Sequence, residues 1–286
     1  MKVLKEIPKA DYAIIGGSVF RPICFPEDLA DPDIEVVDTG MVFETPVGET
    51  IPFKLFQYND QAGIKRRVLY ARYLGIRTDS TRLQDTEQVF WVFKEAGVRR
   101  IISEDCLGSL NPILEPGDIV LAHDFIDMQK YMSVMFMPGK LIRMQDAYCP
   151  EIQNMLFSAA VKAGFRNVAK RGVYTISPGT RFESPAEIAM YRLMGGNMVG
   201  YSLAPMIYLA RAINACFSGI YVIVNYGEGM FSDWDHDIVW DKTREVTPKF
   251  GKIVLDILKQ LPADKSCSCE DYLSSRPIEV MDYPDK

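Results

Sequence analysis

Phe182 and Glu183 stand side by side in the run Gly172-Val-Tyr-Thr-Ile-Ser-Pro-Gly-Thr-Arg-Phe-Glu-Ser-Pro-Ala-Glu187. An aromatic ring next to a carboxylate suits a flat heterocycle with N–H donors, because the ring stacks on its face and the carboxylate accepts from its edge. The commoner use of such a pair is plainer: a turn phenylalanine packed inward and a solvated glutamate. Gly16-Gly17-Ser18 is a second candidate. Glycines let the backbone approach an anion closely, and amides with a serine hydroxyl bind phosphate oxygens. Arg72, and Arg77 beyond it, offer the planar fork that gives phosphate two parallel charge-assisted bonds. Glu104-Asp105 carries the opposite sign: a carboxylate 4 Å from a phosphate charge costs about 4 kcal/mol at an effective dielectric of 20. Asp233, Asp235, His236 and Asp237 lack a partner cluster with ligand spacing, so no metal site is expected there.

The elements that must position these residues follow from the apolar pattern. Val173 to Ile176 reads as a strand ending in the Pro178-Gly179 turn, and a helix follows from about Pro185 with Ser184 as its N-cap. Asp11 to Phe20 is an apolar strand running into the Gly-Gly-Ser turn. Ile34 to Tyr58 alternates as hairpin strands, and Arg67 to Tyr73 is a further strand. Thr81 to Ala96 has helical spacing closed by Gly97. Val98 to Ser103 is a buried strand leading into the Glu104-Asp105 segment. Leu114 to Asp127 is a Pro-Gly turn and a strand, with Asp124 and Asp127 expected on the loop after it. Gln129 to Asp146 is methionine-rich and aperiodic. Tyr148 to Gly164 and Ile207 to Cys216 read as helices, Gly219 to Asn225 as a buried strand, and Thr243 to Leu261 as the closing helix. The alternation predicts an α/β fold with a mixed central β-sheet flanked by helices, in one domain spanning 1–265, followed by an irregular acidic C-terminal tail over 266–286.

Composition narrows the class. A chain of 286 residues with 48% hydrophobic content can bury one sizeable core. A net charge of −6 and a pI near 5.2 argue against nucleic-acid binding. The charged, short N-terminus has no signal-peptide pattern, and no apolar run approaches a membrane span, so the expected setting is cytoplasmic and away from membranes. Six cysteines are too sparse for a disulfide scaffold. Cys24, Cys106, Cys149 and Cys216 sit among apolar residues and are expected as core thiols.

With these residues in view, "GTRFES-PAE" followed by "GYSLAP" (Gly200–Pro205) resembles the base and ribose segments of the trimeric purine nucleoside phosphorylase / methylthioadenosine phosphorylase family. "LEPGDIVLAHDFID" matches the family's acidic-Pro-Gly-Asp segment, and the resemblance spans about residues 11 to 260. It implies the nucleoside phosphorylase fold, a homotrimer or dimer of trimers, and phosphorolysis of a purine nucleoside to free base and (methylthio)ribose-1-phosphate. Inorganic phosphate would be the co-substrate, with no cofactor. By position, the resemblance assigns stacking to Phe182 and base recognition, the catalytic contribution, to Glu183 and Asn225. Glutamate with asparagine is the 6-oxopurine combination. Tyr201 and Ser202 would line the ribose and His236 its 5′ end. Ser18, Arg72, Ser103 and Ser202 would bind phosphate, with Asp105 in the same sub-site. The methionine-rich segment would reach a neighbouring subunit. Cys267 and Cys269 would be either the disulfide that some thermophilic relatives form or two exposed thiols. Val19, Tyr73 and Glu104-Asp105 depart from the family pattern around the phosphate sub-site. They keep two alternatives open: a nucleoside hydrolase using water, and a purine-binding relative without turnover.

Overall fold

A computed structural model describes residues 2–4, 6–72, 78–129, 141–231 and 236–272. Tyr73, Arg77, most of the methionine-rich segment, Asp233, Asp235 and most of the C-terminal tail lie outside the described residues.

The strands are β1 (Lys2–Leu4), β2 (Tyr12–Gly16), β3 (Glu35–Thr45), β4 (Gly48–Glu49), β5 (Phe53–Asn59), β6 (Lys65–Arg72), β7 (Arg100–Ser109), β8 (Ile119–Asp127), β9 (Val168–Ile176), β10 (Met198–Gly200) and β11 (Cys216–Tyr226). The helices are α1 (Arg82–Ala96), α2 (Pro150–Lys162), α3 (Pro185–Leu193), α4 (Met206–Ala212) and α5 (His236–Gln260). The mixed sheet runs β1-β3-β5-β6-β2-β7-β10-β9-β8-β11, and β11 also pairs with β7 in parallel from Cys216↔Arg100 to Tyr226↔Ser109. That last pairing closes β7, β10, β9, β8 and β11 into a ring, from which the remaining strands extend as an open sheet.

Strand alternation divides the core in two. In β2, Ala13 and Ile15 join the cluster containing Phe90 and Phe93 of α1 and Leu209 of α4. Tyr12 and Ile14 join the opposite cluster, with Leu156 of α2 and Phe250 and Val254 of α5. The sheet is therefore covered on both faces, as its apolar strands require. Two helix starts are fixed by local chemistry. Thr81 with Gln84, and Ser184 with Glu187, form reciprocal capping boxes, and Gly97 ends α1 at φ 82°.

Several elements differ from the sequence reading. β7 continues through Glu104 and Asp105 to Ser109, because the carboxylates of both residues find backbone N–H partners. Asp124 and Asp127 belong to β8, held there by the parallel pairing with β9. α4 stops at Ala212, and Cys216 begins β11. α5 starts at His236 rather than Thr243. Cys24 is exposed rather than in the core, while Cys269, expected in an irregular tail, is buried and starts a 3-10 turn over Cys269–Tyr272. Cys267 is half-buried, and both are free thiols. Among the described residues, no helix is long and apolar enough to cross a membrane.

Candidate active site

The C-terminal ends of β7, β10 and β11 and the loop between β9 and α3 converge on a cavity of about 390 Å³. Phe182, Glu183, Tyr201 and Asn225 line it together with Ser18 and Asp105. The β9–α3 loop reaches the cavity through two successive left-handed residues, Gly179 at φ 82° and Thr180 at φ 61°. A β-branched residue with positive φ is strained, and such strain gathers where a loop must present particular side chains. Arg181 then fastens the loop to α3 by a two-pronged ion pair with Glu187 (2.7 and 2.8 Å), the same glutamate that caps the helix. That pairing, with the Ser184 N–H, pulls the Glu187 carboxyl down to about 2. Phe182 is left 51% exposed at the cavity wall, a large apolar face without full burial. Asn225 also lines the cavity, near the tip of β11, 9% exposed, with its amide N–H donating to the Tyr226 carbonyl at 2.9 Å. Gly108 on β7 keeps the space beside it, since a Cβ there would sit 3.6 Å from the Asn225 amide and 3.1 Å from Val199.

A much smaller cavity, about 20 Å³, adjoins the first and shares Ser18, Asp105 and Tyr201 with it. Gly17, Arg82, Glu104 and Ser202 add to its polar lining. The Ser202 hydroxyl is 3.1 Å from the Tyr174 hydroxyl, and Arg82 donates to the Ser202 and Ala204 carbonyls at 2.6 and 3.3 Å. The Arg82 guanidinium also lies 5.0 Å from the centre of the Tyr201 ring, fixing the ring from the side of the small cavity.

The Gly-Gly-Ser turn has the anion-binding conformation, but its donors are engaged within the chain. The Gly17 and Phe20 N–H groups donate to Glu104 Oε1, the Val19 N–H to Glu104 Oε2 at 3.0 Å, and the Ser18 N–H to Asp105 Oδ1 at 3.0 Å. Gly17 is required for this approach, because a Cβ there would lie 2.2 Å from the Glu104 carbonyl oxygen. Glu104 is 3% exposed and Asp105 7%. Burial and the neighbouring Asp105 push the Glu104 carboxyl up to about 8, even though the three amide bonds favour its charged form. Burial and Asp105 likewise hold the Cys106 thiol and the Tyr174 phenol well above their ordinary values.

The structure thus brings together Phe182, Glu183, Tyr201, Ser202, Asn225, Ser18 and Asp105 around two adjoining cavities. It does not bring Arg72 or Ser103 to either. Arg72 is exposed and donates to the Arg21 carbonyl at 2.7 Å, and Ser103 is 2% exposed inside the sheet. His236 opens α5, and its side chain lies outside the described residues. The lining residues that escaped the sequence reading include Arg82, and Arg21 with Trp240, whose cation–π contact spans 4.7 Å beside the larger cavity. Arg82 carried a signal, because a cation in the first turn of a helix opposes the helix dipole and calls for another reason to be there.

The chain matches the model of the "Phosphorylase superfamily" over residues 86–259. It is 30% identical over 240 residues, covering 75% of this chain and 93% of the relative, to a probable S-methyl-5′-thioinosine phosphorylase of Methanopyrus kandleri. It is 32% identical over 194 residues, 64% of this chain and 73% of the relative, to a 6-oxopurine nucleoside phosphorylase of Pyrococcus furiosus. The fold superposes on a methylthioadenosine phosphorylase from Schistosoma mansoni in complex with adenine, with a TM-score of 0.72 and 19% identity over 89% of this chain and 92% of that one. A sheet closed into a ring, a cavity at its strand tips and a family match over most of that ring lead to one conclusion: this chain belongs to the phosphorylase superfamily.

Proposed function

We propose that this chain cleaves the N-glycosidic bond of a purine nucleoside by phosphorolysis, releasing the base and ribose-1-phosphate or its 5-methylthio counterpart. One observation carries the reading: a ring, a carboxylate and an amide (Phe182, Glu183, Asn225) line the same cavity as Ser18 and Asp105, with Tyr201 shared by the adjoining polar cavity. Phe182 stacks on the base. Glu183 accepts from N1–H, and Asn225 serves N7 or O6, the pairing that favours a 6-oxopurine. The names of the relatives from M. kandleri and P. furiosus agree with that base class. Tyr201 and Ser202 take the sugar. Cleavage develops positive charge on the ribose and negative charge on the departing base, so the rate comes from placing donors and the nucleophile rather than from a covalent intermediate. Inorganic phosphate is the co-substrate, and Arg82, which lines the small cavity, takes the role first given to Arg72.

A specific observation favours a second reading, with water as the nucleophile. The amides that would cradle phosphate donate instead to Glu104 and Asp105. For phosphate to enter, it must displace these carboxylates or share the site with them, and the raised Glu104 carboxyl lowers that cost by being largely neutral at pH 7. In the second reading, Asp105 orients or deprotonates a water beside the anomeric carbon. Both readings keep a cytoplasmic setting and a homotrimer. Exposed Met190, Leu193 and Met194 on and just after α3, close to the Phe182 loop, support a subunit contact there.

The test is release of base from inosine, guanosine, adenosine and methylthioadenosine, with and without phosphate. Release that requires phosphate supports phosphorolysis; equal release without it replaces phosphorolysis with hydrolysis. Base binding without release from any of the four would overturn both.

A further inference from the structure

Far from the purine cavity, four cysteines meet. Cys149 precedes α2, Cys216 opens β11, and Cys267 and Cys269 flank Ser268 after α5. Their sulfurs all lie within 4.8 Å of one another, with Cys216 and Cys267 3.3 Å apart. Three of the four are buried and Cys267 is half-buried. We propose that Cys149, Cys216, Cys267 and Cys269 bind one zinc ion as a structural four-thiolate site.

The geometry fits a single centre. Zinc holds thiolates at about 2.3 Å in a tetrahedron, which places the sulfurs about 3.8 Å apart. The shortest separation described, 3.3 Å, and the 4.8 Å that bounds them all lie on either side of that spacing, so one ion fits among the four sulfurs with small side-chain adjustments. The alternative, two disulfides, requires each sulfur to approach one partner to about 2.05 Å and leave the others. Zinc draws all four sulfurs to one point, as they already stand.

The surroundings fit the charge. Four thiolates and one Zn²⁺ carry net −2, which needs nearby cations. Arg100 is 1% exposed, donates through Nη1 to the Cys216 sulfur at 3.6 Å, and keeps a buried Nε with no hydrogen-bond partner among the described residues. Arg211 donates to the Cys269 carbonyl at 2.9 Å, and the Lys265 side chain, 4% exposed, lies just before the Cys-Ser-Cys segment. Glu151 offsets part of this, pairing with Arg100 at 2.7 Å. Cys149 is the N-cap of α2, where helix amides favour a thiolate.

Four protein ligands leave no open position, so the ion is structural rather than catalytic. Its consequence is local: it ties the segment after α5 to the start of β11 and to α2. The local sequence gives little sign of it, because positions 149, 216 and 267–269 have no finger-like spacing and meet only in the fold.

The experiment uses the full chain, purified under reducing conditions without chelator, with zinc measured by mass spectrometry of the metal. One zinc per chain is expected. Replacement with Co²⁺ should give the visible bands of a tetrahedral ion together with intense sulfur-to-cobalt charge transfer. Cys267→Ser, at the most exposed ligand, should reduce zinc from stoichiometric to a small fraction. Cys24→Ser, at an exposed cysteine outside the cluster, should leave it unchanged. Should Cys267→Ser fail to fold, the cobalt spectrum of the unaltered chain still decides. The proposal is overturned if reduced protein incubated with Zn²⁺ retains none, if all six thiols stay freely titratable in its presence, or if the cobalt form lacks sulfur charge transfer. Disulfides among these four that persist in the reduced preparation overturn it equally.

Discussion

Glu104 gives the sharpest handle on the site, because its carboxyl is pushed up to about 8 by burial and by Asp105. In the unfolded chain the group titrates near 4.5. Below pH 4.5 both states hold the proton, and this group makes no difference to the slope. Between 4.5 and about 8 the folded state keeps the proton while the unfolded state loses it, so stability falls as pH rises. Each pH unit is worth about 1.4 kcal/mol, giving a loss of about 5 kcal/mol across the window and about 2 kcal/mol between pH 6 and 7.5. Glu104→Gln removes the titration. Its amide oxygen still accepts from the Gly17 and Phe20 N–H groups, but its NH₂ faces the Val19 N–H, which loses an acceptor at a cost of about 1–3 kcal/mol. The parent has lost about 2 kcal/mol by pH 6 and about 4 kcal/mol by pH 8, so the variant should lie within about 1 kcal/mol of it at pH 6 and exceed it by about 1–3 kcal/mol at pH 8. Denaturant unfolding at fixed protein concentration, followed by tryptophan fluorescence over pH 5.5 to 8.5, measures both curves. Other titrating groups are common to the two proteins and cancel in the difference. A variant whose stability falls with pH as steeply as the parent's would refute the reasoning.

Three further outcomes are expected. Phe182→Ala should weaken base binding by the about 1–3 kcal/mol of a lost base–aromatic stack, roughly 5- to 150-fold in KM, with unfolding unchanged because the ring is half exposed; an unaltered KM places the base elsewhere. Asn225→Asp should move the ratio of kcat/KM for inosine over adenosine at least about tenfold toward adenosine, corresponding to about 1.4 kcal/mol, as measured by parallel base-release assays. Gly17→Ala forces a methyl to 2.2 Å from the Glu104 carbonyl and should destabilise the fold by about 1–3 kcal/mol; a melting temperature equal to the parent's would mean that the turn does not approach β7 so closely.

How much of this was legible beforehand depended on the range of the interaction. Capping of α1 and α3 reads directly from Thr81…Gln84 and Ser184…Glu187, because donor and acceptor lie within one turn. The roles of Phe182, Glu183 and Asn225 come from the resemblance of their segments to a known family, since the residues by themselves also suit a turn ring, a solvated carboxylate and a strand-end amide. In the sequence, β7 reads as ending at Ser103, because two acidic residues look like the end of a buried strand. The amides that accommodate them belong to residues 17–20, more than eighty positions away. Arg82 is absent from the candidates that the sequence offers, Arg72 and Arg77, for a similar reason. The strand-end position of Arg72 was visible locally, whereas the inward approach of Arg82 depends on the docking of α1 beside Ser202 and Tyr201. The cysteines could not be grouped from spacing, since three separate segments supply them.

The closed ring has a consequence for how this protein could be altered. β7, β8, β9, β10 and β11 each pair on both sides, so the distances between their tips are set by closure and not by what the tips carry. Exchanging the residue at 183, 201 or 225 changes the chemistry offered to a substrate while its frame keeps its dimensions. Inserting one residue within a ring strand instead turns every following side chain to the other face, and closure passes that error to both neighbours. Directed evolution of substrate choice should therefore tolerate wide substitution at the tips and almost no change of length in the strands beneath them.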